Sequence, residues 1–248
     1  MAKTSYLTSG LLDRARIAHG WFTRSGGVSQ EPFDSLNVKH GFADPGPNVE
    51  ENRRRALVAM GLNKKDLVFI KHEHTGRILH AADSDRGKDI FADAAVSTEQ
   101  GIILGQGTAD CGTIVLAAKD NQAIGLIHAS WRTLREGIVK QTAGQVASMA
   151  GVAPEKLLAA IGPLACAKCY EFGEEAEKLF DTRYVVRRAD KRYVDLRAMI
   201  QDQLAAAGVE QIDDTGVCTI EDPRFFSHRR DKDKNAQCGR FLTLVVAK

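Results

Sequence analysis

The stretch Gly107-Thr-Ala-Asp-Cys-Gly-Thr-Ile-Val-Leu-Ala-Ala118, followed by Ile124-Gly-Leu-Ile-His-Ala-Ser-Trp-Arg132, reads as a β-hairpin. Two short apolar runs, each suited to a buried strand, bracket Lys119-Asp-Asn-Gln122, which has the composition of a turn. Cys111 opens the first run and His128 closes the second, so antiparallel pairing brings both to one edge. A thiol and an imidazole where two strands converge fit two chemistries. The cysteine is a nucleophile with a histidine base, or both are metal ligands. The bland alternative is an inert buried cysteine beside a structural histidine.

Upstream, Asp66-Leu-Val-Phe-Ile70 is a short buried strand that delivers Lys71-His72-Glu73-His74 at its end. Strand alternation places His72 and His74 on one face, a spacing suited to ligands. Still earlier, Ile17-Ala-His-Gly-Trp-Phe-Thr23 reads as a strand running into Arg24-Ser-Gly-Gly-Val-Ser29. The amides of that glycine turn, around Gly27 and Ser29 and beside the Arg24 guanidinium, have the makings of an oxyanion site. Asn48 is placed to cap a helix from about Val49 to Met60, with Arg53 able to turn inward from it. Downstream, one amphipathic helix is expected from about Thr133 to Ala150, ended by Gly151, with its first N–H groups facing the Cys–His edge. Leu158-Ala-Ala-Ile161 is another strand, Tyr170 to Phe180 an acidic-faced helix, and Asp195 the cap of an amphipathic helix. Cys238 to Val246 makes a closing strand. Cys166 and Cys169 have the spacing of a redox or zinc-knuckle pair. No second cysteine pair of zinc-finger spacing accompanies them, which argues against a cysteine-only metal site.

Composition narrows the class. The 248 residues are 44% hydrophobic and 27% charged, ordinary for a globular chain and enough to build one domain over 1–248. The 34 basic and 32 acidic residues give a net charge of +2, which does not point to a general nucleic-acid surface. No apolar run is long enough to span a bilayer, and the N-terminus lacks a signal-peptide core. Five scattered cysteines argue against a disulfide framework, so a reducing cytoplasm is the expected compartment.

His74, Cys111 and His128 all fall at expected strand ends and together offer two imidazoles and a thiolate, the donor types of a catalytic zinc; copper also accepts them. Arg24, Arg53, Arg132, Arg229 and Arg230 would then serve an anionic substrate such as phosphate.

With these pieces in order, the chain resembles the laccase-domain family, the YfiH-like multicopper polyphenol oxidoreductase or purine nucleoside phosphorylase proteins. The resemblance runs nearly full length. It rests on the Arg24–Ser29 turn, on Asn37 to Arg53 with His40 and Asp44-Pro45, and on His74, Ala92-Asp93-Ala94 and Thr108-Ala-Asp-Cys111. It continues through His128-Ala-x-Trp-Arg132, Ile161-Gly-Pro163, Tyr170-Glu171, Cys218-Thr219, Phe225-Phe-Ser227, Arg229-Arg230 and Gly239-Arg240. It implies an α+β fold in which mixed β-sheets pack together with outer helices, in α/β/β/α-like layers. It also implies metal ligands at His74, Cys111 and His128. The implied activity is phosphorolysis of adenosine, inosine or methylthioadenosine, with adenosine deamination beside it. Copper-dependent polyphenol oxidation and amide hydrolysis on peptidoglycan precursors are the alternatives that the family carries.

Seven histidines make a full multicopper cluster improbable and favour a single zinc, with copper as the second choice. Arg24, Gly27, Ser29, His40, Arg53, Arg132, Arg229 and Arg230 are the expected substrate or phosphate holders, and Asp110 is expected to orient a group at the centre. The expected partner is a small molecule, a purine nucleoside with phosphate, taken by a monomer. A metal-free cysteine hydrolase and a non-enzymatic protein with a vestigial site are the competing classes. Departures from the family pattern are His72 in place of glutamine, Ser130 and Thr133 for small residues, Thr113 for proline, Ile200 for asparagine, and a long loop between Arg230 and Gly239.

Overall fold

The computed structural model describes residues 3–119, 122–231 and 237–247. The centre of the 119–122 turn and most of the long loop after Arg230 lie outside the described residues. In chain order the elements are β1 (Tyr6–Leu7), α1 (Gly10–Arg14), β2 (His19–Phe22), α2 (Gly46–Ala59), β3 (Leu67–Lys71), β4 (Ile78–His80), β5 (Asp89–Phe91), β6 (Ala94–Ser97), β7 (Ile103–Thr108), β8 (Gly112–Ala118) and β9 (Ile124–Ala129). Then follow α3 (Trp131–Arg135), α4 (Ile138–Ala150), β10 (Leu157–Ile161), α5 (Ala176–Leu179), β11 (Val185–Arg188), β12 (Lys191–Val194), α6 (Leu196–Ala206), β13 (Gln211–Asp214), α7 (His228–Asp231) and β14 (Phe241–Val246).

Strand alternation builds four layers. One six-stranded sheet has the order β1-β2-β14-β7-β3-β5 and the other β13-β10-β8-β9-β6-β4, each mixing parallel and antiparallel pairs. Val68, Ile70 and Leu104 of the first sheet meet Val115, Ala117 and Leu126 of the second in a shared apolar layer. The alternate residues Leu67, Phe69, Leu242 and Leu244 face outward and pack with Ala56 and Leu57 of α2. On the other side Ile114, Leu116 and Ile127 pack with Val139, Ala143 and Val146 of α4 and with Ile200 and Leu204 of α6. The period of two along each strand thus supplies two apolar faces per sheet, and the result is α/β/β/α. Ile200 is fully buried, so its place is a core position on α6.

Several elements differ from expectation for local reasons. The run from Gly107 to Ala118 is not one strand. Gly107 and Thr108 end β7 in the first sheet, Asp110 takes a positive φ of 83°, and Gly112 opens β8 in the second sheet. Cys111 therefore sits where the chain crosses between sheets. The helix expected over 133–150 is two helices, because Gly137 adopts the left-handed conformation (φ 75°) between α3 and α4. Helix α2 starts at Gly46 with a proline in its first turn and without a side-chain cap, so Asn48 lies inside the helix rather than before it. Between Tyr170 and Phe180 only Ala176–Leu179 is helical. Strand β3 ends at Lys71, so His72 and His74 project from a turn, with His74 at φ 63°. Thr113 accepts the Trp21 indole N–H at 2.9 Å and lies 3.2 Å from the Thr243 hydroxyl.

Candidate metal centre

The β8–β9 hairpin pairs Gly112 with Ala129 and Thr113 with His128, which places Cys111 and His128 at one edge of the second sheet. The Cys111 thiol is hydrogen-bonded to the His128 ring. The turn after β3 brings in the other imidazoles. The ring centroids of His72 and His128 are 4.1 Å apart, those of His74 and His128 5.0 Å, and those of His72 and His74 5.3 Å. These residues line a cavity of about 340 Å³ together with Thr108, Ser130, Trp131, Arg132, Tyr170, His228 and Arg240. That volume is at the small end for a ligand pocket.

Asp93 organises this wall. It is fully buried between β5 and β6, and each of its carboxylate oxygens accepts more than one hydrogen bond. Oδ1 takes the His74 backbone N–H at 2.9 Å and lies 3.1 Å from His128 Nδ1, while Oδ2 takes the N–H groups of Thr75 at 2.7 Å and Gly76 at 3.0 Å. The His128 backbone N–H also donates to the Asp93 carbonyl at 2.7 Å. One carboxylate thus holds the strained His74 turn and fixes the His128 ring with Nδ1 turned away from the cavity. His74 Nδ1 lies 3.1 Å from the Ser130 hydroxyl, itself held by Thr133 in the cap of α3. Ser130 and Thr133 therefore form one hydroxyl relay behind His74.

The electrostatics follow from burial and these bonds. Burial and the neighbouring His128 push His74 down to about 4, and the same causes lower His72, which therefore stays neutral. Burial opposes a charge on His128, but the Cys111 thiol and Asp93 outweigh it and raise it to about 9. Against the upward push of burial, hydrogen bonds from His128 and the His74 backbone hold Asp93 at about 2. The wall thus carries neutral His72 and His74, a His128 ring that favours its protonated form beside the Cys111 sulfur, and the ionised Asp93 carboxylate behind them. His74, Asp93 and His128 each offer a ligand atom within 4.8 Å of the others.

The expected phosphate holders separate into two groups. Arg132 lines the cavity, stacked 4.3 Å over Trp131. The others do not line it. Arg24 is paired with Asp34 at 2.8 Å and stacked on Phe226. The turn after it is not an oxyanion site, because the amides of Gly27, Val28 and Ser29 already donate to Ser35 Oγ, Asn52 Oδ1 and the Ser35 carbonyl. Gly27 is there for space: a Cβ on it would lie 1.9 Å from the Ser35 carbonyl oxygen. The Ser29 hydroxyl donates to Asp44, and His40 is bonded to Glu50. Arg53 is 3% exposed, bidentate to Asp89 at 2.8 and 3.3 Å, and 3.6 Å from the Phe69 ring centroid. It is a tie between α2 and the first sheet. Arg230 is spent on the carbonyls of Thr219 and Phe225. Arg229 bonds the Glu171 carbonyl and stacks over Tyr170, so it supports the cavity wall from behind.

Asp110 accepts the Thr219 hydroxyl at 2.7 Å and the Arg229 backbone N–H at 2.6 Å. It anchors the Cys111 turn to the segments around 219 and 229. Sequence reasoning missed Asp93, Tyr170, His228 and Arg240 as members of this site. An aspartate between alanines in an apolar strand was the signal for Asp93. The signal for Tyr170 and Arg240 was only their place in the family pattern.

Comparison with known proteins identifies the family and the fold. Residues 18–248 match the family described as multi-copper polyphenol oxidoreductase laccase. The chain is 37% identical over 236 residues to a purine nucleoside phosphorylase of Xylella fastidiosa, covering 88% of this chain and 87% of that one. It is 33% identical over 230 residues to the Escherichia coli purine nucleoside phosphorylase YfiH, covering 90% and 92%. The structure superposes on YlmD from Geobacillus stearothermophilus with a TM-score of 0.86 at 28% identity, covering 94% of this chain and 92% of that one. It superposes equally well on a Neisseria meningitidis protein, with a TM-score of 0.86 at 27% identity and coverage of 98% and 99%.

Proposed function

Because the chain belongs to the YfiH-like, laccase-domain family, we propose that it is a metal-dependent purine nucleoside phosphorylase acting on adenosine or a close analogue. The observation that carries this reading is the Asp93 anchor. It holds His74 and His128 from behind, so that their remaining ring edges and the Cys111 thiol face the same cavity as Arg132 and Tyr170.

His74, Cys111 and His128 would hold the metal. Two imidazoles and a thiolate suit zinc, His128 and Cys111 giving up their protons as the metal binds, with the fourth position left to water or substrate. Asp93 is an outer carboxylate, since four hydrogen bonds already occupy its oxygens. A zinc ion there would supply Lewis acidity and an activated water, which also accounts for a deaminase side activity.

The rest of the chemistry is the work of side chains. In phosphorolysis an oxygen of phosphate forms a bond to C1′ of the ribose as the C1′–N9 bond breaks, and the purine leaves with the bonding pair and takes up a proton. The Arg132 guanidinium holds the phosphate dianion, and Arg240, whose Nη1 is tied to the Cys238 and Gly239 carbonyls, adds positive charge to the cavity wall. Trp131 and Tyr170 offer flat faces for the base. Burial raises the Tyr170 phenol above its usual range, so it stays protonated and can give a hydrogen bond to the departing purine. The substrate is a small molecule taken by one copy of the chain, without nucleic acid. Among the described residues no helix is long and apolar enough to cross a membrane.

The second reading, copper-dependent polyphenol oxidation, draws on the family's description and on His72, which adds a third imidazole beside His74 and His128. Against it, His19, His40 and His80 lie outside the cavity, which leaves four histidines to share among all its coppers. Incubation with adenosine separates the two. Adenine and ribose 1-phosphate formed only when phosphate is present support phosphorolysis. Oxygen consumption with a polyphenol by copper-loaded protein, and no phosphate-dependent adenine release, would replace it with the oxidase.

A further inference from the structure

Behind the cavity wall, two turns far apart in sequence face each other. The first is Cys166-Ala-Lys-Cys169, closed by the Cys169 and Tyr170 N–H groups donating to the Cys166 carbonyl, each at 3.0 Å. The second is Cys218-Thr-Ile-Glu221, closed by the Asp222 N–H donating to the Cys218 carbonyl at 2.9 Å. Each turn presents two ligand-bearing side chains three positions apart, as the two halves of a zinc knuckle do. The turns are held together by a parallel bridge between Leu164 and Cys218, with the Thr219 N–H donating to the Leu164 carbonyl at 3.2 Å. The sulfurs of Cys166, Cys169 and Cys218 and a carboxylate oxygen of Glu221 all lie within 4.8 Å of one another.

We propose that Cys166, Cys169, Cys218 and Glu221 form a second metal site, structural and zinc-selective, separate from the catalytic cavity. A tetrahedral zinc with sulfurs at 2.3 Å needs ligand atoms about 3.8 Å apart, so the four groups need close by only about 1 Å. Three thiolates and one carboxylate fill all four positions and leave none for substrate, which is the mark of a structural site.

The surroundings are those of a thiolate cluster. Backbone N–H groups of Cys166, Ile220 and Glu221 point at the Cys218 sulfur, the first with a nitrogen–sulfur distance of 3.4 Å. The Arg197 guanidinium, tied to Asp214 and to the Val217 carbonyl, stands within electrostatic reach of Cys166 and Cys218. It offsets part of the negative charge that such a donor set would keep with zinc bound. Cys218 is buried while Cys166 and Cys169 are partly exposed, so an ion has a way in.

The site reaches the cavity through the chain. Tyr170 of the cavity wall follows Cys169 directly, and Thr219, next to Cys218, donates to the Asp110 carboxylate beside Cys111. A metal at the four-residue site would pin both segments and so fix one wall of the active site.

Cobalt(II), loaded onto the reduced, metal-free full chain, tests this without an activity assay. Cobalt–thiolate charge transfer counts sulfurs, and Cys111→Ala removes the only thiolate that the cavity contributes. The Cys111→Ala protein is expected to bind one cobalt with tetrahedral bands and the charge-transfer intensity of three thiolates. Cys166→Ser with Cys218→Ser should lower stoichiometry by one equivalent and leave the single-thiolate signal of the cavity. Glu221→Gln, on an exposed turn that tolerates the change, should weaken cobalt binding at least tenfold while keeping the three-sulfur bands. Fully reduced Cys111→Ala protein with no thiolate charge transfer would overturn the proposal. So would recovery of a Cys166–Cys169 disulfide, without metal, from protein purified in the absence of reductant.

Discussion

The carboxylate of Asp93 and the imidazole of His128 meet at 3.1 Å with 0% and 1% of their side chains exposed, and the same carboxylate holds the turn that carries His74. Two residues 35 positions apart thus orient one edge of the cavity. Asp93→Asn keeps the shape and removes the charge. It is expected to weaken metal binding by about 10–100-fold and to lower turnover in parallel, as loss of an outer partner of a ligating histidine does. Competition with a chromophoric chelator checks this. Unchanged affinity would make Asp93 a purely structural anchor.

Two arginines that look alike in sequence should behave differently. Arg132→Ala is expected to raise the KM for phosphate at least tenfold, with a melting temperature near that of the wild type, because this side chain lines the cavity. Arg53→Ala should leave the KM for phosphate alone and cost about 2–4 kcal/mol of stability, because it removes a bidentate partner of Asp89 and an aromatic stack on Phe69. Phosphate kinetics and denaturant melts on both variants decide the matter.

His19 predicts an acid-sensitive fold. It is buried, takes the Ser9 N–H at 2.7 Å on Nε2, and has Nδ1 2.8 Å from the Ile17 carbonyl, so its ring is neutral. Burial lowers its pKa from 6.5. The folded chain then binds fewer protons than the unfolded chain below pH 6.5. The stability that His19 contributes is complete above that pH, and it declines on acidification until the buried ring takes up its proton. The slope is at most about 1.4 kcal/mol per pH unit. His19→Gln should be the less stable protein at pH 7 and should lose less on going to pH 5, as urea melts at the two values would register.

The buried Trp21 indole N–H depends on the Thr113 hydroxyl. Thr113→Val should cost about 1–3 kcal/mol by stranding a buried N–H. Gly162 packs against the face of the same indole, and a Cβ there would lie 2.0 Å from Trp21 Nε1. Gly162→Ala is therefore expected to destabilise by a similar or larger amount through overpacking. Thermal melts of the two variants test both, and a neutral Gly162→Ala would mean that the indole can shift.

Much of the fold was legible because it rests on period-two patterns that sequence carries directly. The runs around Val115, Leu126 and Leu158 became central strands, and the hairpin put Cys111 beside His128. What local reading lacked was the switch of sheets at Asp110, since an apolar run that changes partners looks like one strand. The arginines misled for a related reason. A guanidinium beside a glycine turn has the same composition whether it binds an anion or ties two layers together, and only the ion-pair partners Asp34 and Asp89 distinguish the two. The pairing of Cys166 and Cys169 with Cys218 and Glu221 was hidden because the second half of the cluster ends in glutamate and lies far along the chain.

The central claim is that His74, Cys111 and His128 hold the metal on which phosphorolysis depends. The most direct measurement is metal content and phosphate-dependent adenine release in parallel, on wild-type protein and on Cys111→Ser. The account predicts that Cys111→Ser loses one equivalent of zinc and at least 99% of adenine release while keeping the wild-type circular dichroism spectrum. A Cys111→Ser protein with wild-type zinc content and wild-type adenine release would contradict it.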